Sequence, residues 1–151
     1  MSPTLELRVI TRDNIADAFG VHVTPAQEAF VAPVTQSLAE AYVNPETAWP
    51  RLVYADGVPA GFLMAGFDPD SPVRAFRCGI WRLNVSPGHQ KKGVGRFAVE
   101  AVAAEARRRG EKTLTVLWAR GEGGPEEFYL RMGFRPTGEV VADQHLGELE
   151  L

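Results

Sequence analysis

A single α/β domain is the fold class this sequence predicts: a mixed (α+β) sheet with an antiparallel meander leading into one parallel strand–helix–strand crossover. Three observations predict it. Two apolar runs meet at Asp56-Gly57, a dipeptide that tolerates the positive φ of a tight hairpin. Beyond Val85 the apolar spacing changes from strand-like to helical, with Val94, Phe97, Ala98, Ala101 and Val102 on one face. Alternation then returns at Leu114, Val116 and Trp118, so the stretch from 74 to 118 reads as one crossover unit. A chain of 151 residues suits one domain, 1–151, with a core that needs no covalent staples.

The remaining elements follow in order. Leu5, Leu7 and Val9 alternate with Glu6, Arg8 and Ile10 as a first strand. Thr11 or Asp13 offers an N-cap to a short helix from about 14 to 20. Residues 21–48 carry helical material broken by Pro25, Pro33 and Pro45; Ser37-Leu38-Ala39-Glu40 either is a capping box or lies inside a longer helix. Residues 51–55 and 58–67 flank the hairpin turn, Asp68-Pro69-Asp70-Ser71-Pro72 is a loop, and 74–85 reads as one long strand. Arg107, Arg108 and Arg109 complement the dipole at the end of the long helix, and Gly110 suits the position after it. Gly124-Pro125-Glu126-Glu127 opens another helix, with proline at its first position and acids in its first turn. Residues 134–141 and 144–151 form a closing hairpin.

Composition narrows the function. Hydrophobic residues make up 45% and charged residues 23%, the balance of a soluble globular protein. A net charge of -3 provides no basic field for nucleic acid. The first residues, Met1-Ser2-Pro3-Thr4-Leu5-Glu6, lack the basic and apolar blocks of a signal peptide, and no apolar run is long enough to span a bilayer, so no membrane partner and a cytoplasmic location are expected. Cys78 is the only cysteine; it excludes an internal disulfide and a zinc cluster, and its apolar surroundings fit a buried small hydrophobe rather than a catalytic thiol.

The most informative residues lie where strand passes into helix. Val85-Ser86-Pro87-Gly88-His89 leaves the strand, and Gln90-Lys91-Lys92-Gly93-Val94-Gly95-Arg96 enters the helix. The first N–H groups of a helix lack intrahelical partners and carry partial positive charge. Gly93 and Gly95 would let a phosphate approach the backbone, and Lys91, Lys92 and Arg96 add charge beside it. The spacing is not that of a Walker A loop, and the third glycine of a dinucleotide fingerprint is missing.

Gln90-Lys91-Lys92-Gly93-Val94-Gly95 resembles the [Gln/Arg]-x-x-Gly-x-[Gly/Ala] signature of the GNAT superfamily of N-acetyltransferases. Leu83-Asn84-Val85-Ser86-Pro87 resembles the end of that family's fourth strand, and Phe128-Tyr129-Leu130-Arg131-Met132-Gly133-Phe134 its Phe-Tyr-x-x-x-Gly-Phe hallmark. Two departures stand out: Glu122 and Pro125 occupy the positions where the family often has Asn and Ala.

The resemblance implies a single GNAT-like domain whose fourth and fifth strands splay apart, acetyl-CoA as acyl donor, no metal, and a homodimer. It implies that Leu83 and Val85 pair with the pantetheine arm, that a backbone N–H near Leu83 or Asn84 faces the thioester oxygen, and that residues 90–96 hold the pyrophosphate. Tyr129 becomes the candidate general acid, because a phenol keeps its proton at neutral pH and can give it to a departing thiolate; the alternative is a core tyrosine. Gly133 would then close the helix and Phe134 anchor the core.

No general base stands out. Glu40, Glu122 and Glu148 could act through water, although solvated charges are the commoner outcome. His89 falls at the rim of the loop, while His22 and His145 have no evident partner. Trp81 and Trp118 line an acceptor channel or belong to the core. The resemblance further implies a small-molecule amine as the partner. Gln27-Glu28-Ala29-Phe30-Val31, Ser37-Leu38-Ala39-Glu40-Ala41-Tyr42 and Cys78-Gly79-Ile80-Trp81-Arg82 resemble the bacterial spermine/spermidine (diamine) branch, with segment 24–43 as the acceptor wall. The carboxylates and aromatic face a polyamine needs are available in Glu40, Asp68, Asp70, Glu148 and Tyr42, while Arg82 opposes a polycation. Another amine, or a non-catalytic acyl-CoA sensor, remains open.

Overall fold

The computed structural model describes residues 2–151. Its elements run β1 (Leu5–Val9), α1 (Ile15–Gly20), α2 (Val34–Val43), β2 (Ala48–Ala55), β3 (Val58–Phe67), β4 (Cys78–Val85), α3 (Val94–Arg108), β5 (Thr113–Ala119), α4 (Glu126–Arg131), β6 (Arg135–Val141) and β7 (Gln144–Glu150). The strands form one mixed sheet in the order β1-β2-β3-β4-β5-β7-β6. Only β4 and β5 are parallel, as expected of strands joined through a helix. The hairpin turn between β2 and β3 uses positive φ at both Asp56 (51°) and Gly57 (80°), and Ala142 (49°) and Asp143 (64°) repeat that geometry between β6 and β7.

Several expectations need correction. β4 begins only at Cys78, because residues 74–76 coil into a short 3-10 turn. That turn places the Ala75 carbonyl where it accepts a hydrogen bond from Thr115 Oγ1 (3.1 Å) and stands Phe76 edge-on to Trp81. Ser37-Leu38-Ala39-Glu40 lies inside α2, with Ser37 buried; the capping box belongs to Thr24 and Gln27 instead. Pro125 is the N-cap of α4 rather than its first residue. β2 starts earlier than expected and runs through Pro50.

Helices cover both faces. Ala18 of α1 and Val34 of α2 pack with Leu52, Tyr54, Phe62 and Met64 on one side. Val94, Ala98, Val99, Val102 and Ala106 of α3, with Tyr129 of α4, pack with Leu63, Leu114, Val116 and Trp118 on the other. This is the sheet covered on both faces that a parallel crossover requires. Gly110 (φ 83°) follows α3, and Gly133 (φ 103°) follows α4, at the left-handed positions expected after a helix.

The sheet is discontinuous at its centre. β4 and β5 pair only at Gly79 with Thr115 and Ile80 with Val116. Thr115 Oγ1 donates within 3.1 Å of both the Ala75 and Cys78 carbonyls, and any Cβ at residue 79 would lie 2.5 Å from that oxygen. Glycine at this point is therefore a condition for the two strands to meet.

Candidate active site

Where β4 leaves β5 a cleft opens. The pairing of β3 with β4 shifts register between Met64 and Ala65, leaving Trp81 as an extra residue. Such a bulge turns side chains out of strict alternation. The Trp81 ring lies over Gly66, whose hypothetical Cβ would be 2.1 Å away, so only glycine fits beneath it. From Trp81 to Val85 the β4 edge has no strand partner on the β5 side. A cleft of about 750 Å³ fills the gap, with Leu83 and Val85 on one wall and Leu117, Phe128 and Tyr129 on the other. Unpaired backbone groups along such an edge are ready acceptors and donors for an extended ligand.

At the end of β4, residues 87–89 form a 3-10 turn, and the chain then enters left-handed backbone at Lys91 (φ 61°) and Gly93 (φ 87°). Left-handed backbone at a lysine is uncommon and marks a loop shaped for a purpose. The first intrahelical bond of α3 runs from Phe97 N–H to the Gly93 carbonyl (2.9 Å), which leaves the N–H groups of Val94, Gly95 and Arg96 free of helical partners.

The two glycines have different reasons to be there. Nothing lies within 4 Å of a Cβ on Gly93, so its backbone angle alone demands glycine. A Cβ on Gly95 would sit 3.1 Å from the Phe128 ring, so Gly95 serves the packing of α3 on α4. That adds a packing reason to the sequence reading, in which both glycines clear space for phosphate.

The remaining loop residues divide. Gln90, Lys91, Gly93, Gly95 and Arg96 line the cleft; Lys92 is exposed outside its lining, and the Val94 side chain is buried in the core, leaving only its backbone to the site. Gln90 does not point at open space. Its Nε2 donates to the Val85 carbonyl (3.0 Å) and to Gln27 Oε1 (2.8 Å). The Asn84 side chain lies away from the cleft, where its Nδ2 donates to the Ala32 carbonyl (3.0 Å). His89 is half-buried and outside the cleft.

Tyr129 sits at the cleft wall, 6% exposed, stacked on Trp118 (5.8 Å between centroids) and edge-on to Phe128 and Phe134. Burial disfavours its phenolate and pushes the hydroxyl's pKa well above the ordinary value, with no charged or hydrogen-bonding protein group contributing. The group thus keeps its proton at neutral pH. Trp118 is core, 1% exposed, and Trp81 is the tryptophan that lines the cleft. Glu122 is exposed at the loop before α4; the backbone of Gly123, Gly124 and Pro125 lines the cleft in its place.

A second pocket, of about 370 Å³, lies across the wall formed by Trp81, Arg82 and Leu117. Glu40 and Asp68 line it, with Phe76, Ile80 and Gln144. Arg82 Nη2 reaches both Glu40 oxygens (3.0 and 3.2 Å), and Nη1 donates to the Trp81 carbonyl. The Asp68 carboxylate has no ion-pair partner among the described residues. Glu148 is paired with Arg74 and lines neither cavity, and Asp70 and Tyr42 are exposed elsewhere. Burial lifts the Cys78 thiol to about 12, so it stays protonated and unreactive. Among the described residues no cluster of three His, Cys, Asp or Glu suits a metal ion, and no helix is long and apolar enough to cross a membrane.

Sequence reasoning gave segment 24–43 to the acceptor wall but did not foresee that Val23, Gln27, Phe30 and Val31 form one rim of the cleft. The Thr-x-x-Gln capping box was a readable signal of local order there. Nothing in the sequence paired Glu40 with Arg82.

The model of the acetyltransferase (GNAT) family matches residues 15–134. No curated protein matches the chain in sequence. Among solved structures, the PaiA N-acetyltransferase of Thermoplasma acidophilum, in complex with coenzyme A, has a TM-score of 0.74 at 14% identity, covering 98% of this chain and 99% of that one. An acetyltransferase from Thermus thermophilus gives 0.74 at 20% identity, covering 100% of both chains. YncA of Salmonella typhimurium, with its cofactor acetyl-CoA, gives 0.67 at 17% identity, covering 98% of this chain and 94% of that one. At these identities the likeness is one of fold.

Proposed function

Since the chain belongs to the acetyltransferase (GNAT) family, whose enzymes use acetyl-CoA as cosubstrate, we propose that it acetylates a primary amine of a small molecule, a diamine or polyamine, held in the second pocket. One observation carries the reading: the sign of charge reverses across the Trp81–Arg82–Leu117 wall. The charged residues lining the cleft are Arg82, Lys91, Arg96 and Arg131, with no carboxylate among them. The pocket has Glu40 and Asp68 against Arg82, and Arg82 is already matched by Glu40. An anionic ligand suits the first space and a cationic one the second.

The cleft's residues fit the cosubstrate. Lys91, Arg96 and the free N–H groups of 94–96 would hold the pyrophosphate. The open edge of β4 at Leu83 and Val85 would pair with the pantetheine amides, and the uncovered backbone beside them would face the thioester carbonyl. When bound, acetyl-CoA supplies an activated acetyl group. The nitrogen–carbon bond would form as the carbon–sulfur bond breaks; the nitrogen would lose its surplus proton to solvent, and the sulfur needs a proton. Tyr129 would supply it: burial keeps the phenol protonated, and its hydroxyl has no competing protein partner. Arg82, awkward for a polycation when read alone, is neutralised by Glu40, and Asp68 is left to receive a distal ammonium beside the Trp81 and Phe76 rings.

Thioester consumption across a panel of monoamines, linear diamines, polyamines, amino acids, aminoglycosides and peptides tests the reading. Linear diamines or polyamines are expected to give the highest kcat/KM. CoA binding without consumption for any amine would mark an acyl-CoA sensor instead, and preference for an amino acid or peptide would overturn the acceptor class.

A further inference from the structure

Segment 21–33 is fastened to the cleft's rims at separate points. His22 N–H donates to Ser86 Oγ (3.4 Å), and the Ala32 carbonyl accepts from Asn84 Nδ2 (3.0 Å). The Phe30 ring lies against the loop before α4, where a Cβ on Gly124 would be 2.9 Å from it and one on Gly121 3.1 Å. The contact with the phosphate-binding loop is made by Gln27. Its Oε1 accepts from Gln90 Nε2 (2.8 Å) and from Thr24 N–H (3.1 Å), and its Nε2 faces Gln90 Oε1 at 3.4 Å. Gln90 is itself anchored to the Val85 carbonyl at the end of the open strand edge.

The segment has little structure of its own. It contains one 3-10 turn, Pro25–Gln27, and no strand pairing. Its position is therefore set by these tethers together with the burial of Val21 and Val23. At Pro33 it passes directly into α2, and α2 carries Glu40, the residue that holds Arg82 in the wall of the second pocket. A continuous stretch of chain thus joins Gln27, beside the loop, to Glu40, beside the pocket. Left-handed backbone at Lys91, next to Gln90, makes this loop the part of the cleft whose geometry an anion would fix.

We propose that Gln27 is a positioning residue that couples the two sites. Through Gln90 it reads the state of the phosphate-binding loop, and through segment 21–33 it sets α2 and the Glu40–Arg82 wall. The inference rests on the proposed function, since it takes the loop as the CoA site and the pocket as the amine site. Coupling of this kind is reciprocal: an occupied cleft tightens the amine's site, and an occupied pocket tightens the cofactor's by the same factor.

Amide hydrogen exchange with CoA alone as the probe tests this without knowledge of the acceptor. In the wild type CoA should slow exchange in both 86–96 and α2 (34–43), which lines the second pocket and not the cleft, the latter by about tenfold. In Gln27→Ala, at saturating CoA, protection of 86–96 should remain and that of 34–43 should vanish. Gln27→Glu keeps the oxygen that accepts from Gln90 and Thr24 and should restore it. With the best amine from the panel, Gln27→Ala should raise the amine KM about tenfold and leave kcat within about twofold. Protection of 34–43 that survives in Gln27→Ala would mean that α2 responds to CoA without Gln27, and would overturn the coupling role; so would a wild type whose α2 does not respond. Protection of neither segment would sink the cofactor assignment itself, a different failure. Equal melting temperatures of the three proteins would establish that each is folded.

Discussion

The cleft and the second pocket share Trp81, Arg82 and Leu117 but are built from different materials. The cleft is made of backbone: an unpaired strand edge, the uncapped start of α3 and the glycine-rich turn before α4. Its charges all have one sign. The pocket is made of side chains from α2, the loop after β3, β4, β5 and β7, and its charges are mixed. Backbone recognition depends on conformation and so leaves a local motif, whereas side-chain recognition depends on which distant residues meet. The first kind of site depends most on positions where φ is constrained, such as Gly93; the second changes specificity with one substitution.

The sharpest way to break this contrast is at Tyr129, which serves the chemistry in either case. Tyr129→Phe keeps the stacked ring and removes the proton, and kcat should fall by roughly 10²–10⁴. CoA affinity should hardly change, and stability should fall by less than the ~1 kcal/mol of a lost hydrogen bond, because the hydroxyl has no protein partner. Near-normal turnover would return Tyr129 to the core.

Gly93→Glu attacks the backbone site through conformation and charge together, forcing a carboxylate side chain into left-handed backbone at φ 87°. The rise in melting temperature that CoA gives the wild type should be abolished. Equal stabilisation of mutant and wild type by CoA would refute the loop assignment.

Asp68→Asn removes the pocket's unmatched charge. A hydrogen bond to a charged group is worth about 1.5–3 kcal/mol, so KM for linear diamines should rise roughly 10- to 100-fold while that for a monoamine of equal length stays put. An equal rise for both would show that Asp68 does not read the second ammonium.

The smallest effects separate neighbours. Lys91→Ala should weaken CoA binding by several-fold, less at high salt, and Lys92→Ala by clearly less, since only Lys91 lines the cleft. Alkaline stability offers a further check. Tyr129's folded pKa lies above the unfolded phenol's value of about 10, so its contribution is whole below that pH and is lost as pH rises toward the folded value. Tyr129→Phe should flatten that part of the denaturation profile, leaving the share of Tyr54, whose pKa burial also raises.

The same division explains what could be read in advance. The hairpin at Asp56-Gly57, the crossover through α3 and the closing pair were legible because each rests on local period or turn chemistry. The loop at 90–96 was legible for the same reason. The coil at 74–76 was not, since its cause is a hydrogen bond from Thr115, forty residues away. Gly95 looked like its neighbour Gly93, and only the approach of Phe128 sets them apart. The Glu40–Arg82 pair joins residues whose relation appears only once α2 is laid on the sheet.

The short pairing of β4 with β5 has a mechanical consequence. Two residue pairs, riveted by Thr115 Oγ1, are all that join β1–β4 to β5–β7 through strand bonds. The gap is therefore hinged at one end, where Ile80 pairs with Val116, and open along β4 from Trp81 to Val85. A slight rotation about Thr115 would displace the paired end little and the open end much. Enlarging residue 79 would jam the pivot itself, where a Cβ meets Thr115 Oγ1 at 2.5 Å, and so would alter the aperture without touching any group that lines it.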